Sequence, residues 1–260
     1  MKKQIFLLVA FISILSVLLV GCGTASEDNT STSDGEDKKV LEMATSADFA
    51  PFESRDTSGE IVGFDIDLAN YIAKELGYEL EIKDMKFDGL VGALQSGRVD
   101  MVLAGMSATE NRSKNVDFST AYNHSGEMFV TLKDSNINKL EDIEGAKMCV
   151  QLVTIQQEGA QTLQEDYDFE LKTVDDGTTL IQELISNRID VAYMDKSVAV
   201  GYIEEQGLAG FDDPTTSSPG MAIAFPKGGD LVDDVNKVIA KAEESGKIQE
   251  LKDKWLNDEQ

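Results

Sequence analysis

From Val40 onward, the chain alternates short apolar runs with segments whose apolar residues recur at helical spacing. This alternation is typical of α/β proteins with largely parallel sheets, so we predict that fold class. The predicted strands are Val40–Thr45, Leu80–Met85, Val99–Ala104, Lys147–Leu152 and Ile189–Met194. The predicted helices are Phe64–Leu76, Phe87–Leu94, Thr178–Ile185 and Leu231–Ala242.

The N-terminal segment has a different pattern. Two lysines precede the apolar run Ile5–Val20, which ends in Leu19-Val20-Gly21-Cys22, the form that lipoprotein signal peptidase recognises. We predict that residues 1–21 are a signal peptide and that Cys22 becomes the lipidated first residue. The alternative is an uncleaved membrane helix that ends in a cysteine, but the run is short for a membrane span.

The stretch after the signal is rich in Ser, Thr, Asn, Gly and acidic residues and holds almost nothing apolar. Such a composition cannot form a core, so residues 22–38 are predicted to be a disordered tether. The expected location is the extracytoplasmic face of the cell membrane, with the protein anchored by its lipid.

The whole chain carries a formal net charge of −25, which would repel polyanions. Nucleic acid is therefore excluded as an expected partner. Besides Cys22 the chain has one cysteine, Cys149, in an apolar stretch, and its one histidine is His124. These residues are too few for a disulfide framework or a zinc site, and a core thiol is the favoured interpretation of Cys149. No metal and no cofactor is expected.

Three predicted strand ends are followed by residues that begin helices. Ser107-Ala108-Thr109-Glu110 and Thr154-Ile155-Gln156-Gln157 have the spacing of capping boxes, and Asp195 opens a third helix. Helix N-termini at the carboxyl ends of strands offer backbone N–H groups at the edge where open α/β sheets bind ligands. Taken singly, each of these residues is more often a structural cap.

Arg112 follows the first of these capping boxes. A cation in the first turns of a helix opposes the helix dipole, so its presence there indicates a bound anion. Arginine can hold a carboxylate through two parallel hydrogen bonds, with the Ser107 N–H and the Thr154 hydroxyl completing the site. An exposed surface arginine is the alternative.

These residues, in this order, resemble family 3 of the bacterial solute-binding proteins, the polar amino acid binding lipoproteins and periplasmic proteins that serve ABC importers. The resemblance covers Val40 to Trp255. Its densest blocks are Ala50-Pro51-Phe52-Glu53, Gly63-Phe64-Asp65-Ile66-Asp67-Leu68, Ala93-Leu94-Gln95-Ser96-Gly97-Arg98-Val99-Asp100, Asn111-Arg112 and Val116-Asp117-Phe118-Ser119.

The resemblance implies a two-lobed periplasmic binding protein fold of type II, in which each lobe is a mostly parallel sheet flanked by helices. Residues 39–127 and 221–260 are expected to form lobe 1, and residues 128–220 lobe 2. The chain is expected to cross between the lobes near Glu127–Leu132 and Pro219–Ala224. A monomer that closes on a free amino acid and presents it to a permease is implied.

The resemblance also implies roles for seven residues. In lobe 1, Gly105, Ser107 and Arg112 would contact the ligand, and Arg112 would bind the α-carboxylate. In lobe 2, Thr154 would meet the same carboxylate and Asp195 would bind the α-ammonium group. Phe49 and Phe87 would form aromatic walls around the ligand side chain.

The chain departs from the family pattern in lobe 2, where Val153 stands in place of the usual glycine before the threonine. The loop Leu152–Ile155 is therefore expected to be less open or differently turned. The chain also lacks two residue patterns that accompany ligand specificity in the family. Ser46 stands where some binders of basic ligands have an acid. Gln151 and Met194 stand where glutamine binders tend to have Lys and His. The surroundings of Thr154 favour a polar or basic ligand such as arginine.

Two other functions remain open from the sequence. The same fold hosts dehydratases of cyclohexadienyl acids and modules of cell-wall lytic enzymes, and Glu53 or His124 could serve as an acid or a base. A sensing or adhesive lipoprotein is the third possibility. The preferred interpretation is a binding protein that performs no chemistry.

Overall fold

The protein is described by a computed structural model that covers residues 39–256. The predicted signal peptide, Cys22 and the predicted tether lie outside the described residues. Between residues 39 and 256, no helix has the length and apolar character needed to cross a membrane.

The secondary structure alternates strands and helices, as the sequence pattern predicts. The strands are β1 (Val40–Thr45), β2 (Asp48–Phe49), β3 (Glu53–Arg55), β4 (Ile61–Val62), β5 (Glu79–Asp84), β6 (Met101–Val102), β7 (Val116–Phe118), β8 (Glu127–Thr131), β9 (Lys147–Gln151), β10 (Glu170–Val174), β11 (Val191–Asp195), β12 (Ala209–Asp212) and β13 (Ala224–Pro226). The helices are α1 (Phe64–Leu76), α2 (Leu90–Gln95), α3 (Glu110–Ser113), α4 (Ile155–Leu163), α5 (Gly177–Ile185), α6 (Lys196–Gln206), α7 (Leu231–Glu244) and α8 (Lys247–Trp255).

Two five-stranded sheets form the two lobes, in the orders β5-β1-β6-β13-β7 and β10-β9-β11-β8-β12. In each sheet four strands run in one direction and one runs against them, β13 in the first and β8 in the second. The reversed strand is the first strand after the chain has crossed from the other sheet. A small antiparallel sheet, β2-β3-β4, lies in the connection between β1 and α1.

The longest elements follow directly from the hydrophobic pattern. Strand β1 and helix α1 have the predicted bounds, and α1 buries Ile66, Ala69 and Ile72 along one face. Both elements contribute to one buried apolar cluster with α7 and α8. Helix α1 ends at Gly77, whose left-handed conformation lets its N–H bond the last carbonyls of the helix.

Several predicted bounds are wrong. The run Val99–Ala104 supplies only the two-residue strand β6, and Phe87–Leu94 begins as a 3-10 turn, Phe87–Gly89, before α2. The capping box at Ser107 is also wrong, because Thr109 is the residue that caps α3, its Oγ1 accepting from the Arg112 amide. Ser107 instead forms a β-bridge with Met221.

The first predicted crossing, Glu127–Leu132, is placed too late. Glu127–Thr131 forms strand β8, fully buried and hydrogen-bonded to β11 and β12 in the second sheet. The chain passes between the sheets in residues 119–126 and returns in residues 213–223. The two connections are paired, because Tyr122 N–H donates to Met221 O (2.9 Å) and Met221 N–H donates to Asn123 O (2.8 Å).

Cys149 lies inside the second sheet, and its interpretation as a core thiol is confirmed. The residue has no exposed surface, and burial raises the pKa of its thiol to about 11. A thiol that stays protonated at neutral pH is a poor nucleophile. Among residues 39–256, no group of three or more His, Cys, Asp or Glu is arranged to hold a metal ion.

Candidate functional site

A cleft lies between the two lobes. The structure brings all seven residues singled out in the sequence to this cleft. It also places several there that sequence reasoning did not assign to the site. The full lining is Ser46, Asp48, Phe49, Glu53, Phe87, Ala104, Gly105, Ser107 and Arg112 from lobe 1, and Gln151, Thr154, Ile155, Gln156 and Asp195 from lobe 2.

Arg112 is the one cation in the lining of the cleft. Its guanidinium donates to Ser107 O (2.9 Å) in its own lobe and to Val153 O (2.8 Å) in the other, and stands 5.3 Å from the centre of the Phe87 ring. Partial burial lowers the pKa of Arg112 to about 10, so the group remains charged at neutral pH. No carboxylate of the described residues forms a salt bridge with it, and its remaining N–H groups can bind an anion.

The dipole argument for Arg112 is wrong, although the residue lies in the cleft. Helix α3 has only four residues, so its first and last turns coincide, and so short a dipole gives no reason to expect an anion beside Arg112. The position of Arg112 results from the turn after β6 and from the two carbonyl contacts. Phe87, expected only as a wall, also covers one face of the guanidinium.

Thr154 caps helix α4, its Oγ1 accepting from Gln157 N–H (3.2 Å). The hydroxyl proton is donated to Gln151 O (2.8 Å), so it is already engaged within lobe 2. The first amides of the nine-residue helix α4 have no carbonyl partner within the helix. An anion at Arg112 would therefore meet helix N–H groups from lobe 2 more directly than the Thr154 hydroxyl.

Val153 adopts the left-handed conformation, with φ of 62°. A β-branched residue therefore occupies a backbone conformation that glycine favours, and the expectation that valine alters the turn relative to the family stays a prediction. The turn aims Val153 O at Arg112 and lets Val153 N–H donate to Gln157 Oε1 (2.7 Å). A β-branched residue is strained in this conformation.

Asp195 ends β11 and caps α6, as predicted. Its Oδ1 accepts from Ser197 N–H (2.9 Å) and from Ser125 Oγ (2.9 Å), and the residue is buried. Ser125 belongs to the connection between the lobes. These bonds fix a carboxylate at the lobe 2 side of the cleft, in the same cavity as Arg112.

Gly105 places the backbone of lobe 1 against the aromatic wall. It has φ of 53°, and a Cβ atom there would lie 2.6 Å from Phe49 Cε1. Its N–H donates to Asp65 Oδ2 (2.8 Å), so this amide is unavailable to a ligand. Glycine is needed at this position for the close approach of Phe49.

Asp48 was not identified from the sequence and connects the two lobes. Its Oδ2 accepts from Gly177 N–H (2.8 Å) and Gln151 Nε2 (3.3 Å) of lobe 2, and its Oδ1 accepts from Ser46 Oγ (2.8 Å). At the same edge, Lys86 Nζ of lobe 1 lies 2.8 Å from Asp176 Oδ2 of lobe 2. The lobes are thus tied together beside the cleft. The sequence could have indicated a role for Asp48 in the site, since it directly precedes Phe49, which was assigned to the cleft.

Known protein families and sequences match most of the chain. Bacterial extracellular solute-binding proteins, family 3, match the chain over residues 41–258. The chain belongs to this family. The arginine-binding extracellular protein ArtP of Bacillus subtilis (strain 168) is 41% identical over 262 residues, which cover 100% of both chains.

Solved structures of related proteins share the fold. An ancestral arginine-binding protein bound to arginine has a TM-score of 0.80 and 38% identity, over 84% of this chain and 98% of its own. The ancestral amino acid-binding protein AncCDT-1, a precursor of cyclohexadienyl dehydratase, has a TM-score of 0.78 and 33% identity, over 84% and 95%. The two-lobed fold expected from the family resemblance is confirmed.

We predict that Val153→Asn stabilises the protein by about 1 kcal/mol, because asparagine tolerates the left-handed conformation that strains a β-branched residue. Val153 is 54% exposed, so little apolar burial is lost. Urea denaturation measures the change in the free energy of unfolding. Val40→Asn is the control, since Val40 is 49% exposed but lies in a strand, and should give no stabilisation. An unchanged or lower stability of Val153→Asn would contradict the strain.

Proposed function

We propose that the protein captures a free L-amino acid between its two lobes and delivers it to the permease of an ABC importer. The α-carboxylate binds Arg112 and the N-terminal amides of α4, and the α-ammonium group binds Asp195. The observation that supports this most is the arrangement of one cation and one buried carboxylate on opposite lobes of a single cleft. A zwitterion matches both charges at once.

The energies of these contacts are sufficient. A hydrogen bond to a charged group contributes roughly 1.5 to 3 kcal/mol. Micromolar affinity requires about 8 kcal/mol in total, so several such contacts and burial against Phe49 and Phe87 can supply it after the cost of association. The function needs no catalytic group.

The ligand side chain is proposed to be polar or basic, with arginine as the leading candidate. The cleft lining holds Asp48 and Glu53 besides Asp195, and the aromatic ring of Phe49 in the same lining suits a planar cation. The names of ArtP and of the ancestral protein, both arginine-binding, are in keeping with this. A thermal-shift screen of the twenty amino acids identifies the ligand.

An enzymatic role has less support. Of the two acid-base candidates, Glu53 lines the cleft, but His124 is exposed and does not, and Cys149 is buried in the second sheet. The related proteins described above are binding proteins by name. Incubation with prephenate or arogenate tests the dehydratase alternative, and an absence of saturable amino acid binding would favour a sensing or adhesive role.

We expect Arg112→Gln and Asp195→Asn each to weaken ligand binding about 30-fold or more, since about 2 kcal/mol is lost when a ligand charge is left unpaired. Asparagine retains the cap of α6, so the second variant removes mainly the charge. Calorimetry with the amino acid found by the screen measures the effect.

Arg188→Gln is the control, because its guanidinium pairs with Glu183 (2.7 Å) outside the cleft. Equal affinity of the wild type for the amino acid and its carboxamide would refute the carboxylate contact.

Closure around the ligand depends in part on the Lys86–Asp176 ion pair. Lys86→Ala should speed ligand dissociation by a factor of about 1.4 to 5, because exposed pairs contribute about 0.2 to 1 kcal/mol and this one joins the lobes. Stopped-flow fluorescence measures the dissociation rate. Lys83→Ala is the matched control, since Lys83 pairs with Glu42 within lobe 1 (2.6 Å). Equal rates in both variants would exclude a role of the pair in closure.

We further propose that the protein is anchored by a lipid on Cys22 at the extracytoplasmic face and acts there as a monomer. The proposal is supported by Leu19-Val20-Gly21-Cys22 after an apolar run. Cys22→Ala should move the protein out of the membrane fraction into the soluble fraction, as followed by fractionation and immunoblotting. A variant that remains in the membrane through an uncleaved apolar helix would overturn the lipoprotein assignment.

A further inference from the structure

Glu53 is a buried carboxyl group in the cleft lining that the proposed zwitterion contacts do not use. It lies on β3 and has no exposed surface. No N–H or hydroxyl group of residues 39–256 donates to either of its oxygens. Burying such a group in its charged form is costly, so its presence at a ligand cleft requires an explanation.

The neighbours of Glu53 do not neutralise it. Asp65 on α1 faces it and is held by Gly105 N–H (2.8 Å) and by the Tyr122 hydroxyl (2.8 Å). Asp48 on β2 is the next acid, with Lys86 and Asp176 beyond it at the edge of the lobes. These donors favour the charged form of Asp65, which leaves Glu53 as the carboxyl group that keeps a proton.

We propose that Glu53 selects ligands with a cationic side chain and that such a ligand binds with release of the Glu53 proton. The inference rests on the proposed function, since it concerns the side-chain end of the same amino acid site. The α-carboxylate and α-ammonium groups are assigned to Arg112 and Asp195. The side chain is then left to the region lined by Phe49, Asp48 and Glu53.

The protonation states follow from the surroundings. Burial, then the charge and hydrogen bond of Asp65, raise the pKa of Glu53 well above its usual value. Burial raises the pKa of Asp65 only to about 6, because Gly105 and Tyr122 donate to it. Of the two groups, Glu53 is therefore the one that holds the proton and Asp65 the one that carries the charge. The positive charge of a guanidinium beside Glu53 opposes the effects of burial and of Asp65. It lowers the pKa of Glu53 and favours its charged form.

The release of the Glu53 proton on binding determines how ligand affinity changes with pH. The bound protein holds fewer protons than the free protein when the ligand side chain is cationic, so affinity rises with pH between the bound and free pKa values of Glu53. The slope is at most tenfold per pH unit for one proton. A ligand with a neutral side chain leaves the proton in place, and its affinity shows no such dependence.

L-Arginine and L-citrulline test the proposal, because citrulline carries a neutral ureido group of similar shape. Calorimetry at pH 7 in buffers of different ionisation enthalpy counts the protons released. We expect a measurable release, up to one proton, with arginine and none with citrulline. Arginine should bind at least tenfold more tightly than citrulline, with a ratio that grows with pH.

Glu53→Gln is the decisive variant, since glutamine fills the same space and can still donate to Asp65. It should abolish the proton release and lower arginine affinity tenfold or more, while citrulline affinity changes less than threefold. Glu127→Gln is the matched control, since Glu127 is a buried carboxyl group that does not line the cleft, and it should retain the release. Proton release that persists in Glu53→Gln, or that disappears only in Glu127→Gln, would overturn the assignment.

The outcome also separates this inference from the proposed function. If the wild-type protein binds one or more amino acids saturably but prefers citrulline or releases no proton with arginine, the role of Glu53 is wrong and the binding function stands. If none of the twenty amino acids binds, the proposed function itself fails. Circular dichroism of Glu53→Gln confirms that the variant is folded before its affinities are compared.

Discussion

The two carbonyl contacts of Arg112 are the interactions on which the arrangement of the cleft depends. One guanidinium joins Ser107 of lobe 1 to Val153 of lobe 2, so the loops of both lobes are positioned against the same group. The carbonyls orient the cation without neutralising it, since neither carries a formal charge. Because the group is also partly withdrawn from water, an anion placed beside it is stabilised more strongly than at an exposed arginine.

The lobe 2 loop accepts local strain to make this contact. A left-handed valine is unfavourable, yet the same turn directs Val153 O to Arg112 and starts α4 with its amides at the cleft. The Thr154 cap and the Gln157 side chain hold the turn from the other side. Departures from backbone preference tend to occur at functional sites, where surrounding bonds fix a conformation that the residue alone would avoid.

The sequence predicted best what depends on long periodic patterns or on helix caps. Strand β1 and helix α1 were predicted to the residue, and the caps Thr154 and Asp195 were recognised because their spacing is local. Two-residue strands such as β6 leave no periodic signal, and β8 was not predicted as a strand because the crossing was placed on it from the family resemblance. Asp48 was missed since its partners, Gly177 and Gln151, are more than 100 positions away.

The net negative charge of the chain and the carboxyl groups in the cleft act on a ligand over different distances. A net charge of −25 attracts cations generally, but salt screens exposed charges beyond about 8 Å at physiological ionic strength. Discrimination between ligand side chains must therefore come from groups inside the cleft. Two adjacent buried carboxylates, Glu53 and Asp65, would repel each other if both were charged, and the proton on Glu53 removes that repulsion. In the proposed selection, a cation that takes over the same electrostatic role displaces the proton, which would make protonation itself a means of selecting the ligand.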